Sequence, residues 1–156
     1  MISLSDVYDA LREQDARLFV YDIGFTAAAT IEQDGKYAVF YDPSAVRTTA
    51  ALKECLAHEC GHCATGATHR VASPWDLIEK HEYKANRWAI ERFLPYPALC
   101  RAMRAGLTEP WQLAEWFDVP QSFIERALSY YQEARGLRFS PDAPDSADAE
   151  CSGLGA

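Results

Sequence analysis

The stretch "LAHECGHCATG", Leu56 to Gly66, sets the hardest condition on how this chain folds. His58 and His62 stand four residues apart, with Glu59 directly after the first. On a helix turning about 100° per residue they share one face. Ala51, Leu52, Cys55 and Cys63 fall on the same face, which therefore reads as apolar and turned to the core. Two imidazoles and a carboxylate buried there carry a large desolvation cost unless something pairs with them. A divalent metal ion is the economical partner. Histidines at i and i+4 direct both Nε2 atoms at one ion, about 2.0–2.1 Å away for zinc. Glu59 then points beside the ion, within reach of a water and outside the ligand set, as a general base requires. The plain alternative is a helix with polar residues at a partly exposed edge, and a third protein ligand decides between them.

The second long helical segment, "WDLIEKHEYKANRWAIERFL", supplies that ligand. Trp75, Ile78, Ala85, Ala89 and Phe93 form an apolar stripe at helical spacing, and Glu82 lies near its middle. Glu79 is rotated about 60° from Glu82 and His81 about 100°, at or beyond the stripe's margin. The fold must therefore set two helices face to face with His58, His62 and Glu82 between them. Zinc suits this donor set, although manganese and iron also occupy sites of two histidines and one carboxylate.

The remaining elements follow from local signals. Ser3, Asp6, Leu4, Val7, Leu11 and Leu18 predict a capped helix to about Arg17. "LFVYDI", "TAAATIE" and "KYAVFYD" read as strands, the last two joined by an Asp-Gly turn, and predict a small antiparallel sheet ended by Asp42-Pro43. "KYAVFY" is the expected edge strand, along which a peptide substrate would lie. Thr48 or Thr49 caps the histidine helix and Gly66 stops it. Ser73-Pro74 starts the second long helix, which stops at Pro95; a shorter helix runs from Tyr96 to Gly106. "EPWQLAEWF" and "PQSFIERALSYYQEA" make a helix-turn-helix-like pair whose seam is Leu113, Phe117, Phe123, Ile124 and Leu128. Trp111 and Trp116 belong either to that seam or to a docking surface. The predicted architecture is α+β and zincin-like, a small antiparallel sheet packed on a helical core. Residues 1–106 are expected to form the domain built around the metal motif, 107–136 the helical pair and 137–156 a disordered acidic tail.

Charge and cysteine content narrow the function. A net charge of −8 repels phosphate backbones, and the helical pair offers few cations beyond Arg126 beside Gln121, Ser122 and Glu125, so direct nucleic-acid binding is not expected. No apolar run is long enough for a bilayer, and "MISLSDVYDAL" lacks a signal peptide's basic start, so a cytoplasmic address is expected and a membrane is not. The 5 cysteines then read as reduced thiols. Cys60 points away from the metal face, and Cys55 and Cys63 read as core packing.

The order of a helix bearing "HECGH" and a second bearing "EYKAN" resembles the gluzincin arrangement of zinc peptidases. More closely, "HECGHCATG" followed by "HEYKANRWAIERFLP" resembles the ImmA/IrrE family of metallo-endopeptidases, and the likeness takes in "GKYAVFYDP" and "LAEWFDVPQSFIERAL" up to about Arg138. The resemblance implies that His58, His62 and Glu82 bind Zn²⁺, that Glu59 is the general base, and that Asn86 supports a ligand from behind. It also implies a phage or mobile-element setting and a protein substrate, a helix-turn-helix repressor, whose cleavage relieves repression. An antirepressor that docks to its partner with little or no proteolysis is the alternative; a DNA-binding regulator stapled by zinc is a third reading. Cys60 and Cys63 depart from the apolar residues more usual at those positions. His69, His81 and Tyr83 are the candidates for stabilising the oxyanion.

Overall fold

Ser3 opens the first helix with a reciprocal cap. Its Oγ accepts from the Asp6 N–H at 3.1 Å, and its own N–H donates to Asp6 Oδ2 at 2.7 Å. The computed structural model describes residues 1–68 and 74–139. Helix α1 (Leu4–Glu13) buries Val7, Ala10 and Leu11. It ends four residues before the expected Arg17, because Asp15 takes a left-handed conformation, φ 51°, and turns the chain into strand β1 (Ala16–Val20). Leu18, assigned to the helix by spacing, lies in that strand.

Strands β2 (Ala28–Gln33) and β3 (Lys36–Tyr41) form the expected hairpin, with Asp34 and Gly35 at φ 54° and 74° in the turn. The sheet is nevertheless mixed, where a purely antiparallel one was expected: β1 pairs parallel to β3, and the order is β1-β3-β2. The path of the chain explains this. Val20 and Ala28 both lie opposite Tyr41, so the connection 21–27 leaves and re-enters the sheet at one end, across the end of β3. β2 therefore runs opposite to β1, and the hairpin returns β3 parallel to it. As a second consequence "KYAVFY" is the central strand and β2 is the edge beside the histidine helix, which corrects the edge assignment.

Buried Asp42 fastens the connection. Its Oδ2 accepts from the Ile23 and Gly24 N–H groups at 3.1 and 3.2 Å, and its Oδ1 from Ser44 N–H and Oγ at 2.8 and 2.7 Å. The hydrogen bonds of Ser44 and of the Gly24 and Ile23 amides hold its pKa down to about 2.

Helix α2 (Thr49–Thr65) starts where Thr48 Oγ1 accepts from the Ala51 N–H at 3.1 Å, and stops at Gly66, φ 60°. Helix α3 (Trp75–Phe93) begins after Pro74, one residue beyond the predicted first position; Ser73 lies outside the described residues. Then follow α4 (Tyr96–Arg104), α5 (Pro110–Phe117), α6 (Gln121–Ser129) and a π-helical turn, Tyr130–Ala134. One core joins Leu56 and Cys60 of α2 to Val39, Ile90, Leu99, Leu113 and Ile124. In the α5–α6 seam Leu113, Phe117, Phe123 and Ile124 are buried and Leu128 packs against them, while Trp111 and Trp116 stand 52% and 55% exposed.

Lys53, also in the core, was not foreseen. Its ammonium donates to the Ile2 carbonyl at 2.8 Å and to Asp118 Oδ2 at 2.5 Å, tying the N-terminus to the α5–α6 turn. Of the predicted tail, Leu137 and Phe139 pack against the core, and residues 140–156 lie outside the described residues. No helix among the described residues is long and apolar enough to cross a membrane.

Candidate metal centre

Helices α2 and α3 cross at Gly61. A Cβ there would sit 2.3 Å from the Ala85 carbonyl oxygen and 2.8 Å from its Cα and carbonyl carbon, so only glycine permits this approach. The crossing point lies one residue before His62 on α2 and three after Glu82 on α3. It therefore sets the spacing at which the carboxylate meets the imidazoles.

Among the described residues the ligand atoms of His58, His62 and Glu82 lie within 4.8 Å of one another, a group that can hold a metal ion. The two Nε2 atoms are 3.0 Å apart; Glu82 Oε2 is 3.1 Å from that of His58, and Oε1 is 3.4 Å from that of His62. Both Nδ1 atoms are occupied elsewhere. His62 Nδ1 donates to the Ala67 carbonyl at 2.7 Å, just past the Gly66 stop, and His58 Nδ1 donates to Asn86 Oδ1 at 3.0 Å. An oxygen acceptor keeps the proton on Nδ1 and leaves the Nε2 lone pair for the ion. Without an ion, hydrogen bonds from His58 and then His62 hold the Glu82 carboxylate well below the usual range. Burial opposes the His62 imidazolium, but its bonds to Glu82 and the Ala67 carbonyl outweigh that and raise its pKa. Two nitrogens and a carboxylate converging in this way suit a borderline divalent ion.

Glu59 is 7% exposed and lies in the wall of the same cleft, of about 970 Å³. Thr30 Oγ1 on the edge strand donates to its Oε2 at 2.6 Å. Thr30 was not singled out from sequence; the available signal was a polar residue two positions from Ala28, on the inward-facing side of a short strand.

The surroundings differ from expectation in several places. The histidine face of α2 is core-facing only in part: Cys63 is buried in the core and Leu52 packs against it, while Ala51, Cys55 and the ligands open on the cleft, and Leu56 and Cys60, both 0% exposed, add a second side turned to the core. The helix is enclosed nearly all round, which its mixed pattern had disguised. On α3 the stripe holds from Ala85 to Phe93, whereas Trp75 is 81% exposed. Cys55 lines the cleft, Cys60 and Cys63 are buried, and none of the three belongs to the ligand group. Burial pushes the Cys55 and Cys60 thiols up to about 12 and Cys63 to about 11, so all three stay protonated at neutral pH.

Of the oxyanion candidates, His69 lies outside the described residues, and Tyr83 lines a neighbouring cavity between α3 and α6 that shares Asn86 and Arg126 with the cleft. The half-buried His81 does not line the cleft. Arg126, on α6, does line it. Comparison of the chain with protein-family models, with characterised proteins and with solved structures finds no match, so the functional reading rests on this geometry.

Proposed function

We propose that this chain is a zinc-dependent endopeptidase of the zincin-like, ImmA/IrrE kind, acting in the cytoplasm on a protein regulator, in the first instance a helix-turn-helix repressor. The observation that carries the reading is the combination at one cleft. Two imidazole Nε2 atoms and the Glu82 carboxylate converge, and the Glu59 carboxylate lies beside them, fixed by Thr30.

His58, His62 and Glu82 would hold the zinc ion, which when bound polarises a carbonyl and makes a water acidic enough to lose its proton near neutral pH. Glu59 accepts the proton from the attacking water and returns it to the leaving amine. The Thr30 hydroxyl, by donating to Oε2, fixes the rotamer in which the carboxylate works. Asn86 and the Ala67 carbonyl hold the two imidazoles in the tautomer the ligand role needs. β2 ends the sheet and its residues Ala28 to Ile31 line the cleft, so the main chain of a substrate has an edge on which to lie.

Exposed Trp111 and Trp116 on α5 favour a second reading, an antirepressor that works by docking. Glu59→Gln separates the two. Under the endopeptidase reading the variant keeps one zinc per chain and loses roughly 10²- to 10⁴-fold in repressor cleavage. Full relief of repression by Glu59→Gln without cleavage would transfer the function to docking.

A further inference from the structure

Arg126 is the one arginine or lysine lining the metal cleft among the described residues, and it comes from the C-terminal helical pair rather than from the sheet or the metal helices. Its Nη2 donates to Glu54 Oε1 on α2, and its guanidinium carbon sits 5.7 Å from the centre of the Phe123 ring. These two contacts hold the group at the cleft wall. A guanidinium carries five N–H donors and one carboxylate takes at most two, so donors remain for a second anion. The side chain is still 45% exposed.

Position along the cleft gives the group a meaning. Glu54 precedes His58 by four residues on one helix, about 6 Å along the axis. An extended peptide advances about 3.3 Å per residue, so for a substrate that follows α2 the Arg126–Glu54 pair corresponds to about two residues from a bond cleaved at the metal. Glu54, Glu59 and Glu82 also line the cleft, and a divalent ion together with Arg126 balances their charges. In a chain of net charge −8, an acidic substrate group needs such a local cation.

We propose that Arg126 is a specificity-determining residue that binds an aspartate or glutamate side chain of the substrate within about two residues of the scissile bond, with Glu54 orienting it and competing for it. The inference rests on the endopeptidase reading above.

The test digests a random-sequence peptide library with the zinc-loaded full-length protein and reads cut sites by mass spectrometry for wild type, Arg126→Gln, Arg126→Lys and Glu54→Gln. Wild type enriches Asp and Glu near the cut by roughly 2- to 5-fold, the range of a partly exposed charge pair. Arg126→Gln abolishes the enrichment, Arg126→Lys keeps part of it, and Glu54→Gln increases it by removing the competing carboxylate. An ion pair with a merely structural role gives the opposite pattern, since breaking it from either side lowers cleavage alike and leaves the preference unchanged. That pattern, or no acidic enrichment in wild type, overturns the assignment of Arg126. Zinc-loaded wild type that cuts no peptide at all overturns the endopeptidase reading, and this inference with it. If Arg126→Gln does not fold, Arg126→Lys and Glu54→Gln decide.

Discussion

Gly61→Ala tests whether the close crossing of α2 and α3 sets the metal site. The added Cβ would meet the Ala85 carbonyl oxygen at 2.3 Å, where ordinary contact begins at 3.4 Å, so the helices must part locally by about 1 Å. Overpacking of this kind costs about 1–3 kcal/mol, partly offset by the roughly 0.8–1 kcal/mol that alanine gains over glycine within a helix. The net loss of stability is then about 0–2 kcal/mol, which the fold survives. The site is more sensitive. Glu82 lies less than a turn from Ala85 and moves with it, and its oxygens already stand 3.1 and 3.4 Å from the two Nε2 atoms. Displacing one of three ligands by about 1 Å should weaken zinc by at least the roughly 10- to 100-fold seen when a ligand's support is lost. At saturating zinc a 100-fold loss removes about 2.7 kcal/mol of metal-linked stabilisation. Competition against a chromophoric chelator measures the affinity, and thermal denaturation with and without zinc separates the two effects. Gly61→Ala that binds zinc as wild type does would refute the reasoning. Ala85→Gly should not rescue it, because the obstructing atoms are backbone.

Two further outcomes follow from single hydrogen-bond networks. Asn86→Ala should lower zinc affinity by roughly 10- to 100-fold while leaving the fold intact, since His58 Nδ1 loses its acceptor; an unchanged affinity in the chelator assay would show that Asn86 does not orient the ligand. Folding depresses the Asp42 pKa from 3.8 to about 2. Its contribution to stability is therefore complete above about pH 4 and drains away as the pH falls towards 2. In urea denaturation across that range Asp42→Ala should flatten the acid limb of the stability curve, and a limb identical to wild type would remove Asp42 from the account.

Local patterns were legible from the residues alone because their physics is short-range. The i, i+4 histidines, the caps at Ser3 and Thr48, the stop at Gly66, the Asp-Gly hairpin and the α5–α6 seam each depend on a few neighbours. Glu82 was legible for a similar reason: a carboxylate set in an apolar stripe needs a cation wherever its helix docks. The length of α1 and the direction of β1 were not legible. Residues 16–20 have a partner only once the connection 21–27 has crossed the end of β3, and nothing in five residues specifies that path.

The same limit applies to the histidine face of α2, which is amphipathic in the wrong sense for a simple reading. The core takes Leu56, Cys60 and Cys63, with Leu52 packed against it, and only Ala51 and Cys55 beside the histidines line a cleft instead. Contacts between distant residues belong wholly to the packed chain: Gly61 against Ala85, Thr30 on Glu59, Lys53 beneath Asp118, and Arg126 on Glu54. Local propensity selects the residues able to bind a metal ion. Close packing then sets the distances among them, and those distances carry the chemistry.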